Sequence, residues 1–180
     1  MKKLIVSLVA VMCILVITAF AYLSINWNID PNYSIKFSGK KAEGTFSGLS
    51  GSIVFDKNDL TNSRFDVAVN ANTIKTGNTT KDKHAKGDSW FDTEKYPQIK
   101  FTSTSFAKDG NGYIVSGSLE LHGTKKEIKI PFALIENNGK GTFIGSFKIN
   151  RIDYGIKGNF FGFAVGNEFD ITINVPVTKK

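Results

Sequence analysis

The chain has 180 residues, 23 Lys and Arg against 16 Asp and Glu, a formal net charge of +7 and a single cysteine. A hydrophobic fraction of 41% excludes a disordered chain, and one cysteine excludes both a disulfide framework and a cysteine-rich zinc module. The length suits one folded domain, and the basic balance admits nucleic acid, an anionic membrane surface or an acidic ligand without selecting among them.

At the N-terminus, Lys2 and Lys3 precede an uncharged, nearly all-apolar run over residues 4–23. Ala19-Phe20-Ala21 then supplies small residues at the spacing a signal peptidase needs. This predicts a signal peptide over 1–21, a barrel domain over 22–180, and a periplasmic or secreted protein of the bacterial cell envelope. The rival reading is an uncleaved anchor in the cytoplasmic membrane, since 20 residues cross a hydrocarbon core of about 30 Å. Both readings put the remainder outside the cytoplasmic membrane, because Lys2 and Lys3 hold the N-terminus inside. Cys13 lies within the apolar run behind Met12, which argues against a lipoprotein. Without Lys2 and Lys3 the charge is that of an ordinary solvated surface, and no nucleic-acid partner is expected.

From Trp27 onward the dominant signal is period-two alternation. It runs through Ile35 and Phe37, Ile53 and Phe55, Phe65 to Val69, and Ile99 and Phe101. It continues through Leu119 and Leu121, Ile128 to Leu134, Phe143 to Ile149, and Phe169 to Val175. Asp109-Gly110-Asn111-Gly112, His122-Gly123 and Asn137-Asn138-Gly139 supply turn residues tolerant of positive φ. The pattern predicts an all-β fold of about eight strands, mostly joined by short antiparallel connections and closed into a barrel that removes its own edges. One stretch reads as helix: Asn78 or Thr79 as N-cap, residues 80–86 as about two turns, and Gly87 as the residue that ends it. Trp90 and Phe91 follow as its apolar anchor against one barrel end.

A closed sheet of this size is either filled by side chains or holds one small ligand. Its inward residues are Phe, Ile, Val and Leu, so any hollow is greasy and suits a hydrocarbon chain, each buried methylene being worth about 0.8 kcal/mol. The expected tunnel lining is Phe37, Phe55, Val67, Trp90, Phe91, Phe101, Leu119, Leu121, Phe132, Phe147, Ile149 and Ile171. Gly117 and Gly145 sit at inward strand positions where a missing side chain leaves room or lets something approach the backbone. The Phe160, Phe161 and Phe163 loop is a portal candidate or, equally, a plug over the barrel end. His84, beside Asp82 or Asp88, is a headgroup candidate or plain helix-surface polarity. Arg151 is a headgroup candidate through its fork of donors, or it braces the barrel end with Asp153 on the same strand parity. Tyr154 joins these headgroup and portal candidates, and His122 is read as a turn residue.

Catalytic chemistry finds little support. No serine sits in a nucleophile-elbow pattern, the two histidines lack metal-ligand spacing, and Gly139, Gly141 and Gly145 run into a strand instead of a phosphate-binding helix turn. Asp92 and Glu94 form a loop carboxylate pair with no evident partner. No catalytic residue, no metal and no cofactor other than a lipid or quinone ligand is expected.

The ordered series of short motifs resembles the YceI-like family, also called polyisoprenoid-binding proteins. It begins with Trp27-Asn28-Ile29-Asp30, Ser34-Ile35-Lys36-Phe37 and Gly44-Thr45-Phe46. It continues with Gly51-Ser52-Ile53-Val54-Phe55-Asp56, Ile74-Lys75-Thr76-Gly77 and Asp82-Lys83-His84. The most telling stretch, Trp90-Phe91-Asp92-Thr93-Glu94-Lys95-Tyr96-Pro97, is followed by Gly117-Ser118-Leu119-Glu120-Leu121-His122-Gly123 and Arg151-Ile152-Asp153-Tyr154-Gly155. Ala85, Lys86-Gly87-Asp88 and Trp90 depart from the family pattern near the expected helix. The resemblance implies an extended lipocalin-like antiparallel barrel with one short helix near a barrel end. It also implies a long tunnel for isoprenoid, quinone or fatty-acid-derived chains, and export from the cytoplasm. The resulting expectation is a non-enzymatic protein that binds, transports or stores such a chain. The alternatives are a stress-response or partner-binding barrel with no lipid, or a weak enzyme on a lipid-like substrate. The expected partner is a hydrophobic small molecule. An uncleaved N-terminal segment would add membrane contact, and a homodimer stays open.

Overall fold

The computed structural model describes residues 24–158 and 165–180; the expected leader, Cys13, and the loop residues Phe160, Phe161 and Phe163 lie outside them. Ten strands follow in chain order: β1 (Asn26–Ile29), β2 (Ser34–Gly39), β3 (Ala42–Phe46), β4 (Ser50–Asp56), β5 (Asp59–Asn70), β6 (Gln98–Asp109), β7 (Gly112–Leu121), β8 (Thr124–Asn137), β9 (Lys140–Asn150) and β10 (Glu168–Lys179). One helix, α1 (Thr79–Lys86), and two 3-10 turns (Ala71–Thr73 and Arg151–Tyr154) complete the described elements.

Eight of the strands close a ring in the order β1-β4-β5-β6-β7-β8-β9-β10, all antiparallel, because β1 also pairs with β10. This is the expected closed barrel. The two further strands have a specific place. One edge of β10 is shared end to end: Val177–Lys179 pairs with β1, and Phe169–Asn174 pairs with β2, which carries β3 on its far side. The gap beyond β3 is stitched by a bridge between Thr45 and Lys75, whose two N–H···O bonds measure 2.8 and 2.9 Å. Gly44 is required there, since a Cβ would come within 2.2 Å of the Lys75 carbonyl and 2.6 Å of the Phe37 ring.

The turns follow the local chemistry. His122 and Gly123 have φ of 52° and 73°, and Asn138 and Gly139 have 48° and 77°. Positive φ at both central residues suits the right-handed twist of a two-residue hairpin. Helix α1 starts where Asn78 accepts a 3.0 Å bond from the Lys81 N–H. It ends at Gly87 with φ −70°, so this glycine does not adopt the left-handed conformation usual for a terminating residue. The final carbonyls are instead satisfied by the chain folding back, through the N–H groups of Phe91 to Ala85 and Thr93 to Lys86, each at 3.0 Å.

Arg151 and Asp153 do not share a strand parity. Strand β9 stops at Asn150, whose side chain accepts from the Ile152 N–H and starts the 3-10 turn. Asp153 turns toward Lys126 at 3.9 Å, and Arg151 points the other way, into the barrel end.

Candidate functional site

The two ends of the barrel differ. At the end carrying the 57–58, 110–111 and 138–139 turns, Phe55 sits at the centre of an aromatic cluster with Phe65, Phe106, Tyr113, Phe132 and Phe143. Its ring centroids lie 5.0–6.1 Å from theirs, mostly edge-on or tilted. Those geometries add to the large area each ring buries. Trp27 closes the cluster, its indole N–H donating to the Phe55 carbonyl at 3.0 Å. This end is solid.

Beyond the cluster the barrel is hollow. A cavity of about 1290 Å³ runs from Phe65, Phe132 and Phe143 at its floor to α1 and the Lys40–Lys41 turn at its mouth. That exceeds the usual range of roughly 300–1,000 Å³ for a small-molecule site. Its walls are Ile, Val, Leu and Phe contributed by alternate positions of β2 and β5 to β10.

Of the residues expected to line a tunnel, Phe37, Val67, Trp90, Phe91, Phe101, Leu119, Leu121, Phe132, Phe147, Ile149 and Ile171 all face this cavity. Phe55 does not. It is fully buried inside the aromatic cluster, because strand alternation specifies which face a residue takes but not the depth along the barrel. Gly145 lines the cavity, whereas Gly117 does not: a Cβ there would meet the Phe101 ring at 2.7 Å and the Thr102 carbonyl at 2.4 Å. One glycine leaves room, and the other is covered by a neighbouring ring where β6 shifts register between Ser103 and Ser105.

The headgroup and portal candidates divide similarly. His84 faces the mouth from α1 and is exposed. Asp82 is not its partner, since Asp82 Oδ1 accepts from the Thr76 N–H at 2.6 Å and the Thr76 hydroxyl at 2.7 Å. Those two bonds hold its carboxyl below the usual range, with Lys86 and Lys75 adding to the effect. Tyr154 is 2% exposed and packs in the core, because the 3-10 turn rotates it away from the cavity. Burial pushes its phenol pKa up, and the Asp153 charge pushes it further. The Tyr154 carbonyl lies 3.2 Å from His122 Nδ1, and Tyr96 covers that imidazole at 4.6 Å.

Arg151 reaches the cavity wall, but its donors are already engaged. Nε bonds the Gly166 carbonyl at 3.1 Å, Nη1 bonds those of Ile156 and Lys157 at 2.6 and 2.5 Å, and Nη2 bonds the Val165 carbonyl and Asn167 Oδ1 at 3.4 and 3.0 Å. The guanidinium also lies 5.1 Å over the Trp90 ring. Desolvation by its surroundings lowers its pKa below the usual arginine value. The arginine therefore clamps the chain on both sides of residues 159–164 and holds Trp90 against the mouth.

Several lining residues carried no alternation signal. Ile74 and Ile156 stand in connections, where no period marks the buried face, and Phe46 ends the short β3. Among the described residues no group of three His, Cys, Asp or Glu side chains converges on a metal site.

A family model of the YceI-like domain matches residues 27–177. The Escherichia coli protein YceI is 31% identical over 138 residues, covering 73% of this chain and 71% of that protein. A UPF0312 protein of Photorhabdus laumondii is 33% identical over 122 residues, covering 63% of this chain and 64% of its own length, so the match spans less than two thirds of that relative. Among solved structures, BcnA of Burkholderia cenocepacia superposes with a TM-score of 0.78 at 24% identity, over 84% of this chain and all of that one. A polyisoprenoid binding domain from Saccharophagus degradans, implicated in plant cell wall breakdown, superposes at 0.65 and 16% identity, over 87% of this chain and 99% of that one. At these identities the two structures speak to the fold.

Proposed function

The chain belongs to the YceI-like family, and from that membership and its hollow barrel we propose that it binds a single hydrophobic chain, without catalysis, and carries or stores it outside the cytoplasmic membrane. The cavity of about 1290 Å³, apolar from its aromatic floor to its mouth, carries this reading. A chain of about ten buried methylenes gains roughly 8 kcal/mol there before ordering costs, with no polar partner needed below the rim. The description of the Saccharophagus relative as polyisoprenoid-binding favours an isoprenoid, with quinones and fatty-acid derivatives as the other tails of suitable shape. Lys2 and Lys3 before the apolar run over residues 4–23 support this location.

The test is to purify the protein from the producing cell, extract it with organic solvent and identify the extract by mass spectrometry. The expected result is one long-chain lipid per barrel, or uptake of one when candidates are supplied. A protein that arrives empty and takes up no isoprenoid, quinone or fatty acid overturns the reading.

A further inference from the structure

We propose that the tunnel has a side gate: the β2–β3 hairpin parts from the 71–75 segment along the seam between Phe46 and Ile74, and a tail enters through the slot; this rests on the carrier reading above. Strands β4 to β10, then β2 and β3, wall the cavity in continuous ladders, each neighbouring pair joined by at least five register pairs. The seam from β3 to residues 71–75 is different. It holds one bridge, Thr45 with Lys75, whose two backbone bonds measure 2.8 and 2.9 Å. Beside it the Thr73 hydroxyl accepts from the Ser47 N–H at 2.8 Å and stands 2.8 Å from the Ser47 carbonyl. The Asn70 N–H reaches the Gly48 carbonyl at 3.3 Å. Ser47, Gly48 and Lys75 are exposed, so water can replace these partners. The seam between β1 and β4 is as short, but Trp27 and the aromatic cluster back it. Behind the β3 seam lies the cavity, which Ala42, Phe46 and Ile74 line.

The hairpin also packs as a unit of its own. Ile35, Phe37, Phe46 and Phe169 form with Ile74 a core distinct from that of the barrel, the Phe37 ring lying 5.4 Å from Phe46 and 6.1 Å from Phe169. The first four stay together when the seam parts, because β2 keeps its ladder with Phe169–Asn174 as the hinge. Ile74 and Phe91, whose ring lies 5.5 Å from that of Phe46, face them across the seam. Opening therefore breaks a few exposed backbone bonds and uncovers mainly Phe46 and Ile74. Segments held in that way occupy the low-stability end of a fold. A tail lying in the slot covers the same two side chains again, so the passing ligand offsets the apolar exposure. The floor of rings closes the other end, so a tail threaded from the mouth must slide in along its whole length. Through the slot it enters sideways.

The experiment staples the seam. Thr45 and Lys75 exchange both backbone bonds, and a pair of that kind has Cα atoms about 5.5 Å apart, within disulfide reach. Thr45→Cys with Lys75→Cys is made in the full chain with its single cysteine removed, Cys13→Ala; where the thiols do not oxidise, dibromobimane bridges them. Uptake of parinaric acid, a fluorescent polyene fatty acid, from phosphatidylcholine vesicles and its return to them are followed by stopped flow. The expected result is that closure slows both rates at least ~10-fold and leaves the equilibrium affinity unchanged, since a gate alters neither the bound nor the free state. Reduction of the disulfide restores the rates. Thr73→Val, which removes the hydroxyl at the seam, speeds both. A staple at the solid end, Asn28→Cys with Thr178→Cys on the β1–β10 ladder, changes neither. Equal rates in the stapled and reduced protein, or Thr73→Val no faster than the parent where no closure forms, overturn the gate and leave the carrier reading standing, with entry end-on through the mouth. Absence of uptake by parent and variants alike removes the carrier reading, and the gate with it.

Discussion

Arg151 shows how a residue's type constrains its role less than its neighbours do. A guanidinium suits phosphate and carboxylate, yet here four backbone carbonyls from residues 156–166 and the Asn167 amide oxygen occupy it. Replacing it by Ala leaves those carbonyls to compete for water at a half-buried site. The expected loss is about 2 kcal/mol in urea unfolding, and Arg151→Lys should recover little of it, because a point charge cannot serve acceptors spread around a fork. If Arg151→Ala unfolded at the same urea concentration as the parent, the clamp would have no energetic content. Phe55 makes the complementary point. It is apolar and inward-facing as expected, yet it seals the barrel instead of lining it, because five rings reach it from β5 to β9.

Among the elements, the β2–β3 hairpin and α1 make the mouth, and neither is stable alone. An eight-residue helix is far below the length that holds in water. It is fixed by the Asn78 cap, by the returning 87–93 segment and by Asp82 bonding Thr76. Because the folded Asp82 pKa lies below its ordinary value, the bond's contribution is complete above the unfolded pKa near 4 and is lost as pH falls through the lower folded value. Protection of the Thr76 amide against exchange should therefore decline on acidification below about pH 4, and Asp82→Asn should abolish that acid dependence. An identical acid profile in the variant would assign the loss to another group.

For the whole molecule, the decisive feature is asymmetry along the barrel axis. One end is packed with aromatic rings and locked by Glu136, which accepts from Lys179 and pairs with Lys57, and whose carboxyl pKa is lowered by Lys179. The other end, among the described residues, holds the cavity beneath α1. On the carrier reading proposed above, a tail would enter from the α1 side and stop at Phe65, Phe132 and Phe143. Val67 lies partway along, opposite Phe101. Val67→Trp should fill that section with an indole, stranding two or three methylenes of a long chain. At about 0.8 kcal/mol each this lowers hexadecanoate affinity by roughly 10- to 50-fold. The melting temperature should hold within a few degrees, since the ring enters empty space instead of an occupied core. Unchanged hexadecanoate binding would mean that the tail does not use this section.

Alternation and turn chemistry determined the all-β barrel, its strands from Ile35 to Val175, the hairpin turns, the short helix and most of the wall, because each is a local consequence of period two, positive φ or capping. The motif order determined the family. What only the tertiary structure decided is where the barrel is solid and where it is hollow. Inward phenylalanines at Phe55 and Phe101 look alike in the chain, and depth along the axis depends on which rings arrive from strands far away in sequence. The same holds for Arg151, whose carbonyl partners come together only when β9 and β10 pair.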